Sequence, residues 1–118
     1  MTSYIDGFVA AVSATDRQAY VDFATRAGAL FREFGAARVV DCWPDDVPDG
    51  EVTDFRGAVK AGEGEVVVFS WIEWPSKAAR EADQRRMRED PRMRELGEAM
   101  PFDGKRLIYG GFVPVLDA

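Results

Sequence analysis

The chain contains no histidine. That absence removes Ser-His-Asp and Cys-His catalysis, both of which need an imidazole to carry the proton. It also removes the ligand on which most zinc and non-haem iron sites lean. Acid–base work would fall to Asp, Glu, Tyr, Lys or the thiol of Cys42. Cys42 is the one cysteine, so no internal disulfide can form, in keeping with a reducing cytoplasm. Long hydrophobic runs are missing too. The longest uncharged apolar stretch, Val66 to Ile72, is far short of the roughly 20 residues that span a bilayer. The start, Met1-Thr2-Ser3-Tyr4-Ile5-Asp6, lacks the basic segment and apolar core of a signal peptide. Positive charge is in deficit: 15 Lys and Arg stand against 21 Asp and Glu, for a net charge of −6. Such a surface repels phosphate backbones and acidic lipids. The expectation is a cytoplasmic protein with no nucleic-acid or membrane partner, no metal and no cofactor.

What the chain does have is strand and helix patterning over its whole length. With 118 residues, it suits one domain, 1–118, built around one core. The most informative stretch is Glu65 to Trp74, closed by Pro75. Side chains alternate faces along a strand. Val66, Val68, Ser70, Ile72 and Trp74 would share one face, and Val67, Phe69, Trp71 and Glu73 the other. Both faces are largely apolar, so the strand needs cover on both sides. A chain this short has too few helices for that, and a second copy is the natural cover. A charge at Val67 or Val68 should then dissociate or unfold the dimer. Which face meets the partner is left open by the pattern.

Tyr4 to Ser13 reads as a first strand, with Gly7 marking a bulge or a close backbone approach. A helix follows. Thr15 and Gln18 stand at capping-box spacing. Tyr20, Phe23, Ala24, Ala27, Leu30, Phe31 and Phe34 recur in steps of three and four, and Gly35 is a stop. Ala36 to Pro44 is the second strand, followed by the acidic turn Asp45 to Gly50. Phe55, Ala58 and Val59 fit one short helical turn. A second helix runs from Ser76 to Glu89, with apolar positions at Ala78, Ala79, Ala82 and Met87. Asp90 and Pro91 then cap a third, carrying Met93 and Leu96. Lys105 to Val115 is the last strand, with a bend or bulge at Gly110-Gly111. The order β-α-β-β-α-α-β is the ferredoxin-like, split βαβ arrangement, an α+β fold. Its four-stranded antiparallel sheet carries helices on one face and leaves the other for a partner.

Several segments resemble a known bacterial family. They are Tyr4-Ile-Asp-Gly-Phe8, Arg38-Val-Val-Asp-Cys-Trp43, Asp45-Asp-Val-Pro-Asp-Gly50, Thr53-Asp-Phe-Arg56, Val67 to Ser76, Asp90-Pro-Arg-Met93, Met100 to Arg106 and Tyr109-Gly-Gly-Phe112. Together they are similar to the YbaA-like family of small bacterial proteins of unknown function, across nearly the whole chain. That family is similar in fold to the dimeric α+β barrels, in which two ferredoxin-like units pack sheet against sheet. The wider group includes small monooxygenases, muconolactone isomerase-like proteins and stress-response proteins. The resemblance implies a fold and a homodimer through the sheet face; chemistry carried from the wider group is analogy at fold level.

Candidate chemistry rests on few residues. Asp6, Asp41 and Glu73 lie on strands, where desolvation could raise a carboxyl pKa, or where pairing with Arg38 or Arg106 could hold it ionised. Asp41 draws most attention, since alternation puts it on one face with Val39 and Trp43. Trp43, Trp71, Trp74, Tyr4 and Tyr109 could line a cleft for a small hydrophobic molecule, or simply pack the core and dimer interface. Cys42 sits mid-strand without a basic partner and reads as a small buried hydrophobe. The acidic loop lacks EF-hand spacing, and Gly110-Gly111 lacks phosphate-loop spacing. The cleft candidates are Tyr4, Asp6, Asp41, Trp43, Trp71 and Tyr109. A ligand-binding dimer, a cofactor-free monooxygenase or isomerase, and a non-catalytic stress-response or partner-binding dimer all fit this set.

Overall fold

The computed structural model describes residues 3–118; Met1 and Thr2, part of the segment read for a targeting signal, lie outside it. Four strands form one sheet: β1 (Tyr4–Ser13), β2 (Arg38–Cys42), β3 (Glu65–Trp74) and β4 (Ile108–Phe112). The order across the sheet is β2-β3-β1-β4, and every neighbouring pair is antiparallel. The two ten-residue strands occupy the centre, because they are apolar enough to be covered on both sides. Shorter strands make the edges. The helices are α1 (Arg17–Phe34), α2 (Phe55–Ala58), α3 (Lys77–Glu89) and α4 (Pro91–Glu98), with a 3₁₀ turn at Gly104–Arg106.

The helix ends follow side-chain chemistry, with one exception. Ser76 accepts the Ala79 amide at 3.0 Å and opens α3. Asp90 accepts the Arg92 amide at 2.9 Å, and Pro91 takes the first helical position of α4. The capping box expected at Thr15 and Gln18 does not form. The Thr15 hydroxyl pairs with that of Ser13, and Gln18 donates to Asp22 at 2.9 Å. A backbone turn from Ser13 to Asp16 starts α1 instead. At its far end Gly35 adopts φ 126°, and the amides of Gly35 and Ala36 both return to Phe31. A Cβ there would also collide with the carboxylate of Asp83, so glycine is needed on two counts.

Register fixes the faces. Opposed residues share a side in an antiparallel pair. Tyr4, Asp6, Phe8, Ala10 and Val12 of β1 therefore lie with Trp74, Ile72, Ser70, Val68 and Val66 of β3, beneath α1, α3 and α4. On α3 the inward line is Ala79, Asp83 and Met87, while Ala78 and Ala82, expected to pack inward, are exposed. The other side is partly covered by this chain alone: Val59, after α2, packs over Ala11 and Val67. Val67 and Val68 are accordingly only 5 % and 3 % exposed. A charge at either would report on folding of one protomer, not on dimerisation. The positions that remain open on this side are Phe69, at 43 % exposed, and Phe112, at 63 %, with Ile108 beside them.

The two glycines of β4 do not bulge. Gly110 opposes Gly7 and Gly111 opposes Asp6 in unbroken register. Their role is close approach: the Tyr4 ring lies where a Gly111 side chain would be. Gly7 likewise stays in register, with Phe112 over it.

The junction before β3 is held by charge. Arg106 donates to both oxygens of Glu65 at 2.7 and 2.8 Å, to Asp103 at 3.0 Å and to the Lys60 carbonyl at 3.0 Å. Arg106, then the Gly62 amide, hold the Glu65 carboxyl down at about 2. The unfolded chain therefore takes up this proton first as pH falls. Stability from this contact is full above the ordinary glutamate value of 4.5 and drains away toward pH 2. Urea unfolding across that window should show a shallower acid loss for Glu65→Gln than for the parent; equal slopes would remove Glu65 from the acid response.

Candidate functional site

The helix-covered side of the sheet is not filled. Between α1, α4 and the sheet lies a cavity of about 200 Å³. Its walls are carbon: Phe8, Phe23, Phe31, Val68, Met93 and Leu96 are among the lining residues. Phe23 and Phe31 are half-buried members of the α1 stripe because the space they face is open. Phe102, from the turn after α4, stands edge-on to Phe23 at 5.8 Å and helps close the wall.

One corner is polar. Asp41 and Ser70 oppose each other across β2 and β3, so both side chains point to the helix side. Tyr20 reaches them from the first turn of α1, and its hydroxyl donates to Asp41 Oδ1 at 2.7 Å. The Tyr20 ring is held between Trp43, at 6.0 Å, and Phe102, at 6.2 Å. Tyr20 is only 5 % exposed, whereas Asp41 on the edge strand is exposed. The couple thus sits where the cavity meets solvent. Burial, reinforced by the Asp41 hydrogen bond and charge, pushes the Tyr20 hydroxyl well above its ordinary value. It holds its proton at any physiological pH and serves as a fixed donor.

Of the six cleft candidates, Asp41 and Trp43 come together here. Tyr4, Asp6 and Tyr109 lie elsewhere, and Trp71 borders the cavity with its ring turned away from it. Asp6 is buried at the far end of the sheet, where it accepts Trp74 Nε1 at 2.8 Å and pairs with Arg80 through Nη2 at 2.7 Å and Nε at 3.1 Å. Tyr4 is beside it, with the Arg80 guanidinium 5.1 Å from its ring centre. The Trp71 ring lies on the opposite side of the sheet, next to Phe69, and donates to Glu73 at 2.9 Å. Tyr109, on edge strand β4, is largely exposed and leans on Phe8 at 6.4 Å. Cys42 points to the open side, opposite Phe69.

Tyr20 was not singled out by the sequence pattern except as part of the α1 stripe. A signal was there: one tyrosine in a stripe of phenylalanines brings a hydroxyl that must find a partner when buried. Among the described residues, no cluster of three or more Asp, Glu, Cys or His is placed to hold a metal ion. No described helix is long and apolar enough to cross a membrane.

Residues 3–104 match the family described as "Protein of unknown function (DUF1428)". The chain belongs to this family. It is 62 % identical over 114 residues to the "Uncharacterized protein YbaA" of Escherichia coli strain K12, covering 97 % of each chain. The protein of that description from Shigella flexneri matches equally well. The resemblance drawn from the segments is borne out. Among solved structures, the chain is similar to a dimeric ferredoxin-like protein from an uncultured marine organism. The TM-score is 0.57 with 10 % identity, over the full length of both chains. At that identity the likeness speaks for the fold alone, and it agrees with the ferredoxin-like α+β topology.

Proposed function

We propose that this protein binds a small, largely apolar molecule in the cavity between α1, α4 and the sheet, and does so as a homodimer packed through its open sheet side. The observation that carries the binding reading is the cavity itself. Native interiors are close-packed, with few voids larger than a water molecule. A carbon-lined space of about 200 Å³ with a polar couple at its mouth departs from that rule. An apolar cavity of about 150 Å³ is enough to take up benzene. The reading stops at binding. Tyr20 keeps its proton and donates it to Asp41, and Cys42 faces the other side of the sheet.

The dimer reading is supported by Phe69, Ile108 and Phe112, which stay exposed on the open side although Phe55 packs edge-on to Phe69. The solved ferredoxin-like relative is itself dimeric.

Native mass spectrometry of protein purified gently from cells tests both. The expected species is a dimer, twice 13.1 kDa, carrying added small-molecule mass. Ala24 is half-buried on α1 and lines the cavity. An Ala24→Phe variant fills it and should lose the added mass while staying folded. A bare wild-type dimer would leave the assembly standing and sink the ligand reading.

A further inference from the structure

We propose that the cavity selects an aromatic molecule of one or two rings that presents a hydrogen-bond donor, a hydroxyl or an N–H, to Asp41. This rests on the small-molecule reading above and adds the chemical class of the ligand.

The donor requirement follows from counting protons in the polar corner. Tyr20 has one, and it is committed to Asp41 Oδ1. The Ser70 hydroxyl lines the same corner and can give its proton to the Tyr20 phenol oxygen, which still has lone pairs to accept it. An ionised carboxylate has no proton to give. What the corner offers a newcomer is acceptor capacity, chiefly Asp41 Oδ2, which carries no donor among the described residues. A ligand that brings only acceptors would leave those lone pairs opposed and gain nothing for losing its own water.

Charge excludes the commonest alternative. No lysine or arginine lines the cavity. A fatty or aromatic carboxylate would meet Asp41 with no cation to offset it. Position sets orientation. The interior is carbon and the carboxylate stands at the exposed mouth, so the ring enters first and the donor stays at the rim. Shape favours aromatics: Phe8, Phe23 and Phe31 offer ring faces and edges at which a flat guest packs well. Size allows two fused rings, since about 150 Å³ already accommodates benzene.

The test uses three probes that share one ring system: naphthalene, naphthol and naphthoate, titrated into the protein by calorimetry or fluorescence. Naphthol is expected to bind about tenfold more tightly than naphthalene, the ratio a single charge-assisted hydrogen bond at a partly solvated site would give. Naphthoate is expected to bind weakest. In Asp41→Asn the naphthol-to-naphthalene ratio should shrink to below about threefold. Equal affinity for naphthalene and naphthol, or naphthoate as the tightest probe, would overturn the donor requirement while leaving the cavity as a binding site. An unchanged ratio in Asp41→Asn would overturn the role of Asp41. Failure of all three probes to bind would sink the small-molecule reading itself.

Discussion

Replacing Asp6 by alanine is expected to cost the fold about 3–5 kcal/mol, the usual loss when one member of a buried ion pair is removed. Asp6 sits on central strand β1 and is nearly inaccessible, and the Arg80 side chain that grips it is mostly buried. Its two oxygens satisfy three donors: the Trp74 indole and two nitrogens of the Arg80 guanidinium. Trp74 is fully buried, so its N–H has no water to turn to. The alanine variant would strand an indole donor and a cation together. It would also untie α3 from the sheet, since Arg80 is the polar link between them. Against the 5–15 kcal/mol typical of a whole domain, that loss leaves little. Asp6→Asn separates the two causes. It keeps an acceptor for Trp74 and removes the charge that answers Arg80, so its urea midpoint should fall between those of the parent and Asp6→Ala. An alanine variant within about 1 kcal/mol of the parent, the range of ordinary substitutions, would show that Arg80 and Trp74 find water or other partners once Asp6 is gone.

The same residue shows what the sequence can and cannot carry. That Asp6 lies on a strand, and that β1 and β3 span Tyr4–Ser13 and Glu65–Trp74 to the residue, could be read from alternation and apolar run length. Those signals are local and both strands are central, so nothing competes with them. The edge strands are shorter than their apolar runs, for physical reasons. Ala36 is drawn into the close of α1, and Pro44 has no amide to give the ladder. At the other edge, Asp103 accepts the Lys105 amide and turns residues 104–106 into a 3₁₀ turn before β4 can begin. Partners across the fold leave no such trace. Arg80 stands 74 residues from Asp6, and Tyr20 stands 21 from Asp41. Alternation put Asp41 and Trp43 on one face, but the hydroxyl that meets them comes from a helix whose stripe reads as plain core. The cavity is invisible to the pattern as well. A half-buried Phe23 that faces empty space and a packed one have the same periodicity.

A single charge on the open side of the sheet should convert a dimer into a folded monomer. Phe112 is the best place for it. Its register partner is Ile5, it covers Gly7 and Gly110 on the uncovered side, and it is exposed within one protomer. Phe112→Asp therefore removes little that holds the protomer together, unlike Val67→Asp or Val68→Asp. Burying one phenylalanine is worth about 1.5–3 kcal/mol. A two-fold interface counts each substitution twice, so the loss is about 3–6 kcal/mol, on the order of 10²–10⁴ in dissociation constant. Burying two aspartates would add to it. Sedimentation at micromolar concentration should move from twice 13.1 kDa to the monomer, while circular dichroism stays that of the parent. Phe69→Asp, across the same side on β3, should do likewise. The cavity and the open side lie on opposite faces of the sheet, so the monomeric variant should keep its preference for naphthol. A wild-type protein that already sediments as a monomer, or a Phe112→Asp variant that stays dimeric, would show that something other than a second copy covers this side.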